Sequence, residues 1–125
     1  MNLRFTSPEH RQYFATMVSG DKPTDAIYYL LGADDTLRNN ISDVLVDGKL
    51  RKNAIRDSWQ TSTSKKYYAL ALNLLYDLTY PEAEPARLWA ETSDEVAEVL
   101  FEAIDIYRGK GGYDQNMVFC NWLND

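Results

Sequence analysis

Apolar residues recur along this chain at helical rather than alternating spacing. Tyr13, Phe14, Met17 and Val18 form the first such run. It follows a Ser7-Pro8-Glu9 start in which Ser7 can cap, Pro8 fits the first turn and Glu9 complements the helix dipole. Phe5, just ahead of the cap, is placed to staple back onto that helix, and Gly20 stops the run. Pro23-Thr24-Asp25 opens a second helix, apolar from Ala26 to Leu31 with paired tyrosines, and Gly32 is a natural stop. A third helix is predicted from Asp34-Asp35 onward. Leu37, Ile41, Val44 and Leu45 lie at i, i+4, i+7 and i+8 and share one face, and Gly48 ends it.

Residues 49–63 break the pattern. Basic side chains crowd together, and Trp59-Gln60-Thr61-Ser62-Thr63-Ser64 follows. Hydroxyl side chains compete for backbone hydrogen bonds, so the stretch reads as a loop with one short turn that delivers Trp59 into the fold. The next helix spans about 64–79 and ends at Tyr80-Pro81. Between Tyr67 and Tyr76 only Asn73 is strongly polar, so this helix is apolar all round and predicted to be buried at the centre. After a connector with Pro81 and Pro85 and a turn around Arg87-Leu88-Trp89, Thr92-x-x-Glu95 reads as a capping box. It opens a last strong helix whose apolar face is Val96, Val99, Leu100, Ala103, Ile104 and Tyr107. Gly109, Gly111 and Gly112 end that helix. Met117, Val118, Cys120, Trp122 and Leu123 in the tail predict a docked final short helix, because a free tail would leave them in water. No alternating strand of useful length and no repeat is visible. The predicted fold is all-α, one bundle of five to six helices around the 64–79 helix. Residues 1–125 form a single domain, with 109–125 as a C-terminal extension.

Composition agrees with a folded domain: 125 residues, 45% hydrophobic and 26% charged. The single Cys120 removes disulfides, iron–sulfur clusters and cysteine-based zinc sites. With His10 the lone histidine, a Ser-His-Asp or Cys-His arrangement would have to use it. His10 sits in a first helical turn and reads as a surface or capping residue. Asp34-Asp35 are accounted for by a helix dipole. The sequence therefore implies no catalytic residues, no metal site and no cofactor. No apolar run reaches a membrane span, and residues 1–10 do not resemble a signal peptide. A soluble, cytoplasmic protein is expected.

Charge changes the picture most. The net charge of −6 hides strong segregation. Residues 49–76 carry six basic side chains against one acidic, and residues 77–105 carry one basic against nine acidic. On the last strong helix Asp94, Glu98, Glu102 and Asp105 form a ridge opposite the apolar face, and Glu91 and Glu95 extend it. Unpaired acids at this spacing repel one another, which a basic partner would relieve. A solvated outer face is the plain alternative. The basic patch Lys49, Arg51, Lys52 and Arg56, with Lys65 and Lys66, lacks a phosphate-cradling glycine loop or an RNA-binding aromatic motif. It is free to pair with the acidic segment of this chain or of a second copy.

Trp59, Gln60 and Thr61 form a polar motif. Trp59 can anchor an aromatic plane or fill the core, Thr61 or Thr63 can cap the buried helix, and Asn73 is expected in the same hydrogen-bond network. Tyr28-Tyr29 and Tyr67-Tyr68 each place one ring inward and its neighbour sideways or outward, which would offer interface anchors, or else helical neighbours bury both rings.

Several motifs recur together in one order: Phe5-x-x-x-x-His10, Ala26-x-Tyr28-Tyr29-Leu30-Leu31-Gly32, Asp35-Thr36-x-Arg38, Trp59-Gln60-Thr61 and Leu70-Ala71-x-Asn73-Leu74. Over residues 3–108 the chain resembles an uncharacterised family of short proteins from phages, prophages and Gram-positive mobile elements. The resemblance implies a small accessory protein of a mobile element and no assigned activity. The expectation is a non-enzymatic inhibitor of a host defence nuclease, anti-CRISPR-like, docking by its acidic surface on a basic protein, with no direct contact to nucleic acid or membrane. The alternative is a self-assembling structural or regulatory phage protein, with a homodimer as its simplest form.

Overall fold

The structure, a computed structural model, describes residues 3–78, 80 and 92–109. Side-chain caps start its main helices. Ser7 Oγ accepts from the His10 N–H to open α1 (Pro8–Met17), and Asp21 accepts from the Thr24 N–H to open α2 (Lys22–Gly32). Asp34 caps α3 (Asp35–Asn39) through the Leu37 N–H. Thr61 and Ser64 form a reciprocal capping box for α5 (Ser62–Tyr76). Ser93 caps α6 (Asp94–Tyr107) through the Val96 N–H.

The predicted third helix is divided. Asn40 interrupts it between α3 and a short α4 (Ile41–Val44), and the chain then reverses in a two-residue hairpin, β1 (Leu45–Val46) against β2 (Lys49–Leu50). Asp47 and Gly48 both take positive φ, 54° and 75°, which is the backbone a tight hairpin turn requires. A 3₁₀ turn over Lys52–Arg56 leads on to Trp59, which packs half-buried against the core. The loop-with-one-turn reading of 49–63 therefore holds for 51–61 only: Lys49 and Leu50 are strand, and Ser62 and Thr63 already belong to the next helix, which starts two residues before the expected Ser64.

The fold is all-α apart from that hairpin. Six consecutive residues of α5, Tyr67 to Leu72, are buried, so its middle is enclosed on every side as its apolar sequence predicts. It ends earlier than Thr79: Asp77 adopts the left-handed region (φ 59°) and its N–H bonds to the Asn73 carbonyl. α2 packs against α1, α5 and α6, burying Ala26, Ile27, Tyr29, Leu30 and Leu31. Gly32 lies inside the last turn of α2. A Cβ there would come within 2.6 Å of Tyr13 Cδ2, so this glycine serves the close approach of α1 to α2 rather than a turn.

α6 buries Val99, Leu100, Ala103 and Ile106. The apolar face is thus rotated from the predicted one: Ile106 is inside and Tyr107 is exposed. The capping box is also displaced by one residue. Ser93 rather than Thr92 caps, and the Thr92 hydroxyl instead accepts from Lys66 Nζ at 2.9 Å. Tyr67 and Tyr68 are both buried, while Tyr29 is buried beside a half-buried Tyr28. The Arg87-Leu88-Trp89 turn, Gly111, Gly112 and the tail helix lie outside the described residues. Among those described, no helix is long and apolar enough to cross a membrane.

Candidate functional site

The fully buried polar residues His10, Asp25 and Ser64 are hydrogen-bonded within the fold. His10 is fully buried, not at the surface as its sequence neighbours imply. Its Nδ1 accepts from the Thr6 N–H at 3.0 Å, so the proton is on Nε2, which donates to the Tyr29 carbonyl at 2.8 Å. Phe5, 5.1 Å away, and Tyr29, 4.6 Å away between ring centroids, enclose the ring. Burial lowers its pKa to about 4 against the Tyr29 hydrogen bond, so the ring is neutral near pH 7. Asp25 is also buried. Its carboxylate accepts from the Ser19 N–H at 2.8 Å, the Gly20 N–H at 2.9 Å and the Ser19 hydroxyl, which fixes the α1–α2 turn. Burial raises the Tyr67 phenol to about 12 and pushes Tyr13, Tyr29 and Tyr68 up further. Among the described residues no three His, Cys, Asp or Glu side chains gather as a metal site.

The polar motif is built into the backbone. Gln60 Nε2 donates to the Ala54 carbonyl, its Oε1 accepts from the Ser64 hydroxyl, and Thr61 caps α5. Asn73 does not join this network. It stands three turns away at the other end of α5 and donates to the Leu78 carbonyl at 3.1 Å, closing the helix C-terminus.

The basic patch is partly committed. Arg51 forms an ion pair with Asp57, and its Nε donates to the Asp43 carbonyl. Lys52 Nζ sits 5.0 Å above the Tyr76 ring. Lys49, Lys52 and Arg56 remain exposed.

The acidic ridge faces outward from α6, as expected, with Asp94, Glu95, Glu98 and Asp105 exposed and Glu102 half-buried. Glu91 lies outside the described residues. Two of these acids have partners that the sequence did not reveal. The N-terminal arm, residues 3–6, crosses α6: Arg4 Nη1 meets Glu98 Oε1 at 3.0 Å, and the Arg4 N–H donates to Glu102 Oε1 at 3.1 Å. The Tyr29 hydroxyl donates to the Arg4 carbonyl and pins the arm from below. Between arm and helix runs a groove of about 260 Å³ lined by Arg4, Phe5, Thr6, Tyr29, Glu95, Glu98 and Val99. Nothing in the sequence periodicity couples Arg4 to a helix some ninety residues away.

A family described as "Family of unknown function (DUF6075)" matches residues 1–118, nearly the whole chain. The chain belongs to the DUF6075 family. No curated protein and no solved structure matches it. The family holds the arm, the His10 cluster and α6 within one matched segment, and it carries no assigned chemistry, so the functional reading rests on the surfaces themselves.

Proposed function

We propose that this member of the DUF6075 family is a non-enzymatic binding protein that docks on a basic protein surface through the outward face of α6. The observation that carries the reading is the exposure of Asp94, Glu95, Glu98 and Asp105 on one helix. Along one ridge, i to i+4 steps bring a carboxylate about every 6 Å. One strand of duplex DNA presents a phosphate about every 3.4 Å of axis. The ridge is about half as dense, enough to compete for part of a basic groove. In its concrete form the partner is a host defence nuclease and the protein an anti-CRISPR-like inhibitor. It is encoded by a phage or other mobile element and works in the bacterial cytosol. The order of motifs from Phe5 to Leu74 supports that origin.

The test is co-migration with a purified CRISPR nuclease on native gels at low and high salt. Binding is expected to weaken with salt and to vanish in the Asp94→Lys/Asp105→Lys double variant. Both residues are exposed, so the fold should survive the change. A complex indifferent to salt and to both substitutions would remove the acidic-face reading. A second reading, self-assembly, is favoured by the exposed Lys49, Lys52 and Arg56, which offer the ridge a complementary surface on another copy. Light scattering of the concentrated chain checks it, and a monomer would exclude it.

A further inference from the structure

We propose that the groove between the N-terminal arm and α6 receives an arginine side chain of the partner protein and thereby sets where that partner seats. This rests on the acidic-face reading and names its anchor. At about 260 Å³ the groove is smaller than the clefts of roughly 300 Å³ and upward that hold small-molecule ligands, and it is sized for a side chain. Half-buried Phe5 gives it accessible apolar surface, with Tyr29 and Val99 buried at its base, and the Arg11 guanidinium already lies 5.4 Å from the Phe5 ring centroid. Such a lining suits the methylene stem of an arginine and the flat face of its guanidinium.

The polar wall selects the charge. Glu95 and Glu98 stand on it three residues apart, hence neighbours on the helix surface. Glu98 already holds a guanidinium, that of Arg4, with the two side chains 70% and 56% exposed. Glu95 is exposed and makes no ion pair among the described residues. A further guanidinium entering the groove therefore meets the Glu95 carboxylate beside half-buried Phe5, while Arg4 occupies the neighbouring acid and Arg11 one side of the Phe5 ring. Two carboxylates against one guanidinium leave the wall net negative, which rejects an anionic group. Lysine fits less well, because its ammonium is compact, strongly hydrated and does not stack.

The test is an amide-shift NMR titration of the full chain with a tetra-arginine peptide spaced by glycines, and with its lysine counterpart. Shifts are expected to concentrate at Phe5, Tyr29, Glu95 and Val99, with the arginine peptide preferred at least three-fold. Glu95→Gln should weaken binding at least five-fold. Asp105→Asn, which removes the same charge from the same helix outside the groove, should change it less than two-fold. Circular dichroism confirms that both variants fold. Equal losses in the two variants would overturn the groove proposal and leave the acidic-face reading standing. No binding even at low salt would overturn both. A blocked single arginine bound as tightly as the peptide would make this a small-molecule site. Self-association of the chain that Glu95→Gln abolishes would assign the groove to a second copy. Either of those results also overturns the proposal.

Discussion

A neutral imidazole sealed against Phe5 and Tyr29 makes folding depend on pH. The folded His10 titrates near 4, and the unfolded residue near 6.5. Between those values the unfolded chain binds the proton more readily, so stability from this residue is complete above about pH 6.5 and falls as pH drops towards 4. The full drop is about 3 kcal/mol at about 1.4 kcal/mol per pKa unit. Urea denaturation at pH 7.5, 5.5 and 4 should show it as a slope that the His10→Gln variant lacks; an equal slope in that variant would place the titration elsewhere. Gly32 tests the same contact from the other side. Alanine is intrinsically the better helix residue by about 1 kcal/mol. Its Cβ, however, would lie 2.6 Å from Tyr13 Cδ2 and 3.2 Å from His10 Cδ2. Crowding outweighs propensity, so Gly32→Ala should lower stability by about 1–3 kcal/mol in a thermal melt. Neither role was legible at its own position. Glu9 and Arg11 flank His10 and give it a surface look, and only the aromatic residues at Phe5, Phe14 and Tyr29 hint at the enclosure.

Helix boundaries show what local chemistry can and cannot specify. The Ser7-Pro8 and Asp34-Asp35 starts were readable because Ser7 and Asp34 each reach a backbone N–H three residues on, whereas for α5 the sequence left Thr61 and Thr63 both open and the structure selects Thr61. The division of the third helix was not. Leu37, Ile41, Val44 and Leu45 keep a helical period through it, and four apolar positions cannot separate a continuous helix from a helix followed by a hairpin. The readable sign was Asp47-Gly48, a pair suited to positive φ at both residues. The cap of α5 is the element whose loss is simplest to measure. Thr61→Ala leaves the Ser64 N–H without its side-chain acceptor and should cost about 1 kcal/mol. Gln60 and Ser64 keep their own bond, so the effect should appear as a lower denaturation midpoint with unchanged cooperativity. A loss several times larger would mean that Thr61 anchors the whole 49–63 segment.

Across the molecule, the segregated charge of the sequence survives folding but is locally moderated. The basic stretch lies along the hairpin, the 3₁₀ turn and the start of α5, and spends Arg51 on Asp57 and Lys66 on Thr92. The acidic face of α6 receives Arg4 from the opposite end of the chain, a long-range pairing that no periodicity encodes. Two effects compete when Arg4 is truncated. The ion pair with Glu98 is largely exposed and contributes no more than about 1 kcal/mol. The remaining hydrogen bonds of Arg4, to Glu102 and from Tyr29, use its backbone and outlast the side chain, and Thr6 holds the arm through His10 and the Ala33 carbonyl. Arg4→Ala should therefore melt close to the wild type. It also leaves Glu98 open and makes the face more negative by one charge. The tetra-arginine peptide should then bind about two- to five-fold tighter at low salt, with the gain fading as salt screens it. A melting point that falls by ten degrees or more would show that the guanidinium, not the backbone, holds the arm. Weaker peptide binding by a folded Arg4→Ala variant would place Arg4 within the seat itself, so the sign of this one change decides whether Arg4 guards the acidic face or completes it.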